Sequence, residues 1–243
     1  MARIFITGSA DGLGRLAAKA LVENGHDVVL HARDEKRAEE ALNGVPAAKG
    51  VVTADLSDID ETKRLADKVN ELGRFDAVIH NAAVYQTAVE HLFTINVLAP
   101  YILTCLITRP ERLVYMSSGM HGGGKPRLES FRSDPRSITY SDSKLHMLML
   151  AKAVARRWPE VYANALDPGW VPTKMGGSDA PYSLEEGYAT QVWLATSNNP
   201  DALVSGYYFK HKRQVPHNSL ADDVEAQEEF LALCGEITGV SLT

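Results

Sequence analysis

A short run of β-branched and aromatic residues, Arg3-Ile4-Phe5-Ile6-Thr7, passes directly into a glycine-rich turn, Gly8-Ser9-Ala10-Asp11-Gly12-Leu13-Gly14. The run reads as a buried strand. Leu13, Leu16, Ala17, Ala20, Leu21 and Asn24 then recur near helical spacing, and Gly25 stops the helix. Strand, glycine turn and helix together bring backbone N–H groups and a helix N-terminus to one point. That is where a dinucleotide pyrophosphate sits. Gly8 suits the tight turn, Gly12 lets the backbone approach phosphate, and Gly14 lets helix and strand pack closely. A plain glycine-rich turn has the same residues, with spacing G-x-x-x-G-x-G rather than G-x-G-x-x-G, so other stretches must decide.

The rest of the chain repeats the strand–helix alternation. Strands are expected at 28–30, 51–54, 77–80, 112–116, 161–166 and 204–210. Helices are expected at 35–42, capped by Asp34, and from Asp58 to residue 72. Further helices are expected at 92–107, 138–157, 184–197 and 221–237. Pro100 needs accommodation near the first turns of its helix, and 119–137, with three consecutive glycines and two prolines, reads as loop. This pattern predicts an α/β fold, a doubly wound parallel sheet of about seven strands with helices on both faces, as one domain over 1–243.

Composition narrows the function. The 243 residues carry a net charge of -6 and no basic stripe, which argues against nucleic acid as a partner. The two cysteines, Cys105 and Cys234, fit no metal or redox spacing. No apolar run reaches membrane-spanning length, and the first strand begins at Arg3, so a cytoplasmic protein without a membrane partner is expected.

Chemistry is concentrated in Thr139-Tyr140-Ser141-Asp142-Ser143-Lys144. Tyr140 and Lys144 fall one turn apart on one helix face. A nearby ammonium favours the phenolate, so the pair suits proton exchange with a carbonyl or alcohol. A half-buried tyrosine beside a surface lysine has the same spacing.

Taken in order, these motifs resemble the short-chain dehydrogenase/reductase family, in its compact single-domain branch, over nearly the whole chain. Thr7-Gly8-x-x-x-Gly12-x-Gly14 and Tyr140-x-x-x-Lys144 carry the resemblance, with Asn81-Ala82-Ala83, Asn96, Ser118 and Pro168-Gly169 between and after them. It implies a catalytic set of Asn96, Ser118, Tyr140 and Lys144. Tyr140 would exchange the proton, Lys144 would lower its pKa and bond the nicotinamide ribose, and Ser118 would bond the substrate oxygen. Asn96 would hold a water linking Lys144 to solvent. The resemblance also implies cofactor contacts from Gly8, Ser9, Asp11, Gly12, Leu13, Gly14 and Arg33. Others would come from Asp55, Leu56, Asn81, Ala82, Ala83, Tyr140, Lys144, Pro168, Gly169, Val171 and Thr173.

Ala83 departs from the family's glycine. The stretches from Asn81 to Asn96 and from Asn96 to Ser118 are short, whereas Ser118 to Tyr140 is long. That long loop and Ser205-Gly206-Tyr207-Tyr208-Phe209 resemble the retinol-dehydrogenase-like subgroup. The second strand ends Leu30-His31-Ala32-Arg33 with no acid, and Arg33 suits a 2′-phosphate, so NADP(H) is expected over NAD(H). Lys36 and Arg37 would add longer-range attraction. Met120, His121, Trp170, Met175 and Tyr182 point to a medium-sized, largely apolar carbonyl or alcohol substrate. A homo-oligomer, dimer or tetramer, is expected through helix 138–157. A non-catalytic dinucleotide sensor on the same fold is the alternative, though a sensor has no need of all four catalytic residues.

Overall fold

The computed structural model describes residues 1–85 and 91–243. Residues 86–90, part of the short stretch before Asn96, lie outside the described residues.

The first half alternates β1 (Arg3–Ile6), α1 (Gly12–Glu23), β2 (Asp27–Ala32), α2 (Glu35–Gly44), β3 (Gly50–Thr53), α3 (Ile59–Glu71) and β4 (Ala77–His80). The second half has α4 (Ala99–Leu106), β5 (Arg112–Met116), a one-turn α5 (Ser130–Ser133), α6 (Tyr140–Arg157) and β6 (Tyr162–Asp167). It closes with α7 (Leu184–Thr196), β7 (Tyr208–Lys210), β8 (Arg213–Gln214) and α8 (Val224–Thr238). The sheet order is β3-β2-β1-β4-β5-β6-β7-β8, parallel except for the last pair. Eight strands therefore stand where about seven were expected from the alternation; the extra one is a two-residue edge.

Alternate side chains of β1 enter opposite cores. Ile4 and Ile6 pack under α1 and α7 with Val28, Leu30 and Leu194, while Phe5 packs on the other face with Val29, Leu65, Val78 and Phe75. The chain reverses direction across the sheet between β1 and β4. The carboxyl ends of those neighbours open a crevice there, the usual ligand position in such sheets.

Three expected boundaries moved. The helix expected at 92–107 is divided: a π turn at Thr94–Leu98 precedes α4. Pro100 has no N–H for the Asn96 carbonyl, so the chain widens there and Pro100 falls in the first turn of α4, where its missing donor costs nothing. The last parallel strand is only Tyr208–Lys210, shorter than 204–210. Before it, Ser205 Oγ donates to the Val161 carbonyl (2.8 Å) and Asn164 Nδ2 to that of Val204 (2.6 Å), side chains replacing ladder bonds. The stretch 119–137 is not wholly loop; it holds a 3₁₀ turn at Gly119–Gly123, α5 and a second 3₁₀ turn at Pro135–Ser137.

Helix α6 is buried along most of its length, from Asp142 to Val154. Its own chain covers it: Phe131 of α5 meets His146 (5.1 Å between rings) and Phe230 of α8 (5.9 Å), and His146 stacks on Phe230 (5.5 Å). The helix expected to serve an oligomer interface is thus packed against α5 and α8. No described helix is long and apolar enough to cross a membrane.

Candidate active site

The crevice has a volume of about 460 Å³. Of the expected residues, Gly8, Asp11, Gly12, Leu13, Arg33, Asp55, Leu56, Asn81, Ala82, Ala83, Tyr140, Lys144, Pro168 and Thr173 line it. Gly12 has φ +53° and open space where a Cβ would stand, so its backbone faces the crevice bare. At Gly14 a Cβ would fall 2.4 Å from Asn81 Nδ2, so this glycine brings α1 onto β4. Thr7 Oγ1 accepts from the N–H groups of Asn81 and Ala82 (3.0 Å each), fastening the turn to the end of β4.

Two further side chains hold the turn. Ser9 does not line the crevice: it is fully buried, its hydroxyl donating to the Ile6 carbonyl (2.9 Å) and accepting from the His31 N–H (2.8 Å). Its N–H is also used, on the His31 carbonyl. His31 itself accepts from the Gly8 N–H at Nδ1 (3.0 Å) and lies 3.1 Å from the Ala54 carbonyl at Nε2. Those partners require a neutral ring with the proton on Nε2, and burial accordingly pushes its pKa down to about 4.

The outer end of the crevice is cationic. Asp11 accepts from Lys174 (2.5 Å) and Arg37 (3.4 Å), and Lys174's bond is the chief reason its carboxyl is held at about 2. Arg33 is 70% exposed and meets Asp34 at 3.5 Å. Asp34 caps α2 as expected, accepting from the Arg37 N–H (2.9 Å). Arg37 lines the crevice, nearer than its expected long-range role; Lys36 does not. Lys174 was not indicated by the sequence, since nothing there places residue 174 beside residue 11.

The inner end is buried. The capping box of Thr139 and Asp142 starts α6 and fixes where Tyr140 and Lys144 point. Lys144 Nζ donates to the Met116 carbonyl (2.9 Å) and lies 5.3 Å from the Tyr140 ring centre. Burial pushes Lys144 down to about 7. Burial also pushes Tyr140 up to about 12, with the charge of Asp167 adding to the rise and a hydrogen bond from Ser118 opposing it. The expected lowering of Tyr140 by Lys144 is therefore absent in the protein alone, because desolvation favours the neutral form of each group.

Four expected residues flank the crevice rather than line it. Ser118 reaches Tyr140 from the end of β5. Asn96 spends its side chain on Val84, accepting from its N–H (2.8 Å) and donating to its carbonyl (3.0 Å), and on Ser143 Oγ (3.1 Å). Gly169 turns the chain at φ +79°. Val171 packs toward Gly187 of α7.

Of the residues expected near substrate, Met120, Trp170 and Met175 are exposed apolar side chains. His121 is buried with both nitrogens occupied: one lies 2.7 Å from the Ser118 carbonyl and the other accepts from the Asn218 N–H (3.2 Å). A carbonyl only accepts and an amide only donates, so this ring is neutral and offers no free proton.

Gly12's bare backbone at the start of α1 and the cations at the outer rim fit a phosphorylated dinucleotide. An uncharacterized oxidoreductase of Emericella nidulans is 45% identical over the whole of this chain and 99% of its own. Retinol dehydrogenase 14 of Mus musculus is 29% identical over 85% of this chain and 76% of its own. The crystal structure of a blue fluorescent protein from a metagenomic library, in complex with NADPH, superposes with a TM-score of 0.71 at 18% identity, over 86% of this chain and 95% of that one. A sequence model of the short chain dehydrogenases matches residues 2–182, and the chain belongs to that family of oxidoreductases.

Proposed function

We propose that this protein is an NADP(H)-dependent oxidoreductase that interconverts a carbonyl and an alcohol, on a medium-sized, largely apolar substrate. The observation that carries the reading is the placing of Tyr140 and Lys144 in the same crevice as the open backbone of Gly12. The bound dinucleotide would supply or accept the hydride. Tyr140 would give its proton to the substrate oxygen in reduction, or take it back in oxidation. Ser118, at the end of β5, would donate to that oxygen where negative charge develops. Lys144 would hold the nicotinamide ribose.

Asn96 would take part through its main chain, since its side chain is committed to Val84 and Ser143. Its carbonyl, which Pro100 cannot reach with an N–H, is the group suited to holding a water for Lys144. Arg33, Arg37 and Lys174 would receive a 2′-phosphate, and a same-fold protein that binds NADPH agrees with this choice. Met120, Trp170 and Met175 would meet an apolar substrate. The proposed setting is cytoplasmic, without a nucleic-acid or membrane partner.

The test is a panel of aldehydes, ketones and secondary alcohols, with cofactor absorbance followed for NADPH/NADP⁺ and NADH/NAD⁺. Turnover of apolar carbonyls with NADPH is expected. NADPH binding without turnover of any panel member would favour the dinucleotide sensor instead.

A further inference from the structure

The 3₁₀ turn Gly119–Gly123 connects Ser118 to the start of α6. At its near end the Met120 N–H donates to Ser118 Oγ (3.2 Å). That bond occupies a lone pair of the hydroxyl, so its single proton is directed away from the turn. At its far end Gly124 abuts α6: a Cβ there would fall 2.4 Å from the Ser141 carbonyl oxygen, one residue after Tyr140. The Lys125 N–H then donates to Asp142 (2.7 Å), a member of the capping box of that helix. The three consecutive glycines in this stretch leave its backbone with little preference of its own.

Side chains hold it instead. The His121 ring reaches back to the Ser118 carbonyl with Nδ1 (2.7 Å), beside the His121 N–H on the same oxygen (3.0 Å). Its Nε2 accepts from the Asn218 N–H (3.2 Å). The Asn218 side-chain amide donates to the carbonyls of Gly124 (3.0 Å) and His121 (3.2 Å), with that of Gly122 at 3.4 Å. The segment bearing Asn218 is itself tied to α6, because Asp222 pairs with Lys152 of that helix (2.7 Å) and with His217 (3.1 Å).

We propose that His121 and Asn218 are positioning residues that hold the Ser118 hydroxyl in its donating orientation toward the substrate oxygen; this rests on the oxidoreductase reading above. Two donors from His121 fix the plane of the peptide between Ser118 and Gly119. That plane sets the path of the next peptide, and so the aim of the Met120 N–H at Oγ. Asn218 holds His121 twice, through the ring nitrogen and through the main-chain carbonyl. Neither residue lines the crevice, so both act through Ser118. A donor already aimed where charge develops needs no reorganisation during the step, whereas a loose turn leaves the hydroxyl free to rotate.

The experiment is a double-mutant cycle in the full chain. Asn218→Ala and His121→Leu are each made alone and together with Ser118→Ala, and assayed with NADPH on the fastest carbonyl of the panel. Ser118→Ala alone should lower kcat by roughly 10²-fold, the usual loss for one such donor. Asn218→Ala and His121→Leu should each lower kcat by about three- to thirtyfold in the parent and by less than about twofold in Ser118→Ala, where the group they act through is gone. NADPH affinity, read by fluorescence titration, should stay that of the parent. Equal losses in both backgrounds, or no loss in either, overturn the proposal and leave the two residues structural. Should His121→Leu not fold, Asn218→Ala decides alone, since Asn218 is half-exposed. A second readout needs no turnover. The ring nitrogen resonances of His121 in ligand-free protein at neutral pH should show a proton on Nδ1 and none on Nε2. The opposite tautomer breaks the link from Asn218 and overturns the proposal. Absent turnover in the parent with the expected tautomer present would instead fail the oxidoreductase reading, and the proposal with it.

Discussion

The two ends of the crevice handle charge in opposite ways. At the outer end Arg33, Arg37 and Lys174 reach solvent, and Lys174 and Arg37 hold the Asp11 carboxyl below the ordinary carboxylate range. At the inner end burial drives Lys144 down and Tyr140 up, so both approach their neutral forms. The difference follows from where each set stands. Ion pairs at a wet rim stay charged and exchange partners cheaply, which suits capture and release of an anionic ligand. Groups under the sheet's edge pay for any charge, which suits a site that moves protons only when a reaction demands it.

The comparison breaks most visibly at Tyr140. Tyr140→Phe should lower turnover by about 10³-fold or more while NADPH affinity, set at the outer end, changes little. Steady-state rates and a fluorescence titration of NADPH check this; near-parental turnover would remove Tyr140 from the reaction.

The next effect concerns stability in acid. His31, His80 and His146 are buried, with pKa values pushed down by burial to about 4, 3 and 4. The Nδ1 atoms of His80 and His146 have no hydrogen-bond partner, so a proton there would be unpaired. The unfolded chain takes protons on all three as pH falls through about 6.5, and the folded chain does not. Their contribution is therefore complete above that value and declines toward the folded values, by up to about 1.4 kcal/mol per pH unit for each ring. Urea midpoints at pH 7 and pH 5 should differ strongly, and His146→Gln should flatten the slope. An unchanged midpoint would mean that the rings are charged in the fold.

A smaller effect sharpens the outer end. Arg33→Ala and Arg37→Ala should each weaken NADPH binding by roughly tenfold and leave NADH nearly unchanged, as expected for a charge-assisted phosphate bond. The Arg33 effect should fade more with added salt, because that side chain is the more exposed. Equal losses for both cofactors would place the 2′-phosphate elsewhere.

The smallest expected change is in mass. With α6 covered by α5 and α8, light scattering should give a monomer at micromolar concentration. A dimer that survives charge substitutions on α8 would require another face.

Much of this was readable before the fold was known, because local rules govern it. The alternation of strands and helices, the glycine turn, the Asp34 cap and the one-turn spacing of Tyr140 and Lys144 all depend on neighbours within a few residues. What the sequence determined by itself was the family, the order of elements and which residue types enter the crevice. What only the tertiary structure decided were relations between distant segments. Ser9 turned inward because β2 supplied His31 as its partner. Lys174 came to Asp11 across 163 positions, and Asp167 reached the backbone beside Ser118 through the pairing of β5 with β6. The ionisation of Tyr140 and Lys144 belongs here too. Spacing places an ammonium near a phenol, but the depth at which the sheet buries them sets which protonation state is stable.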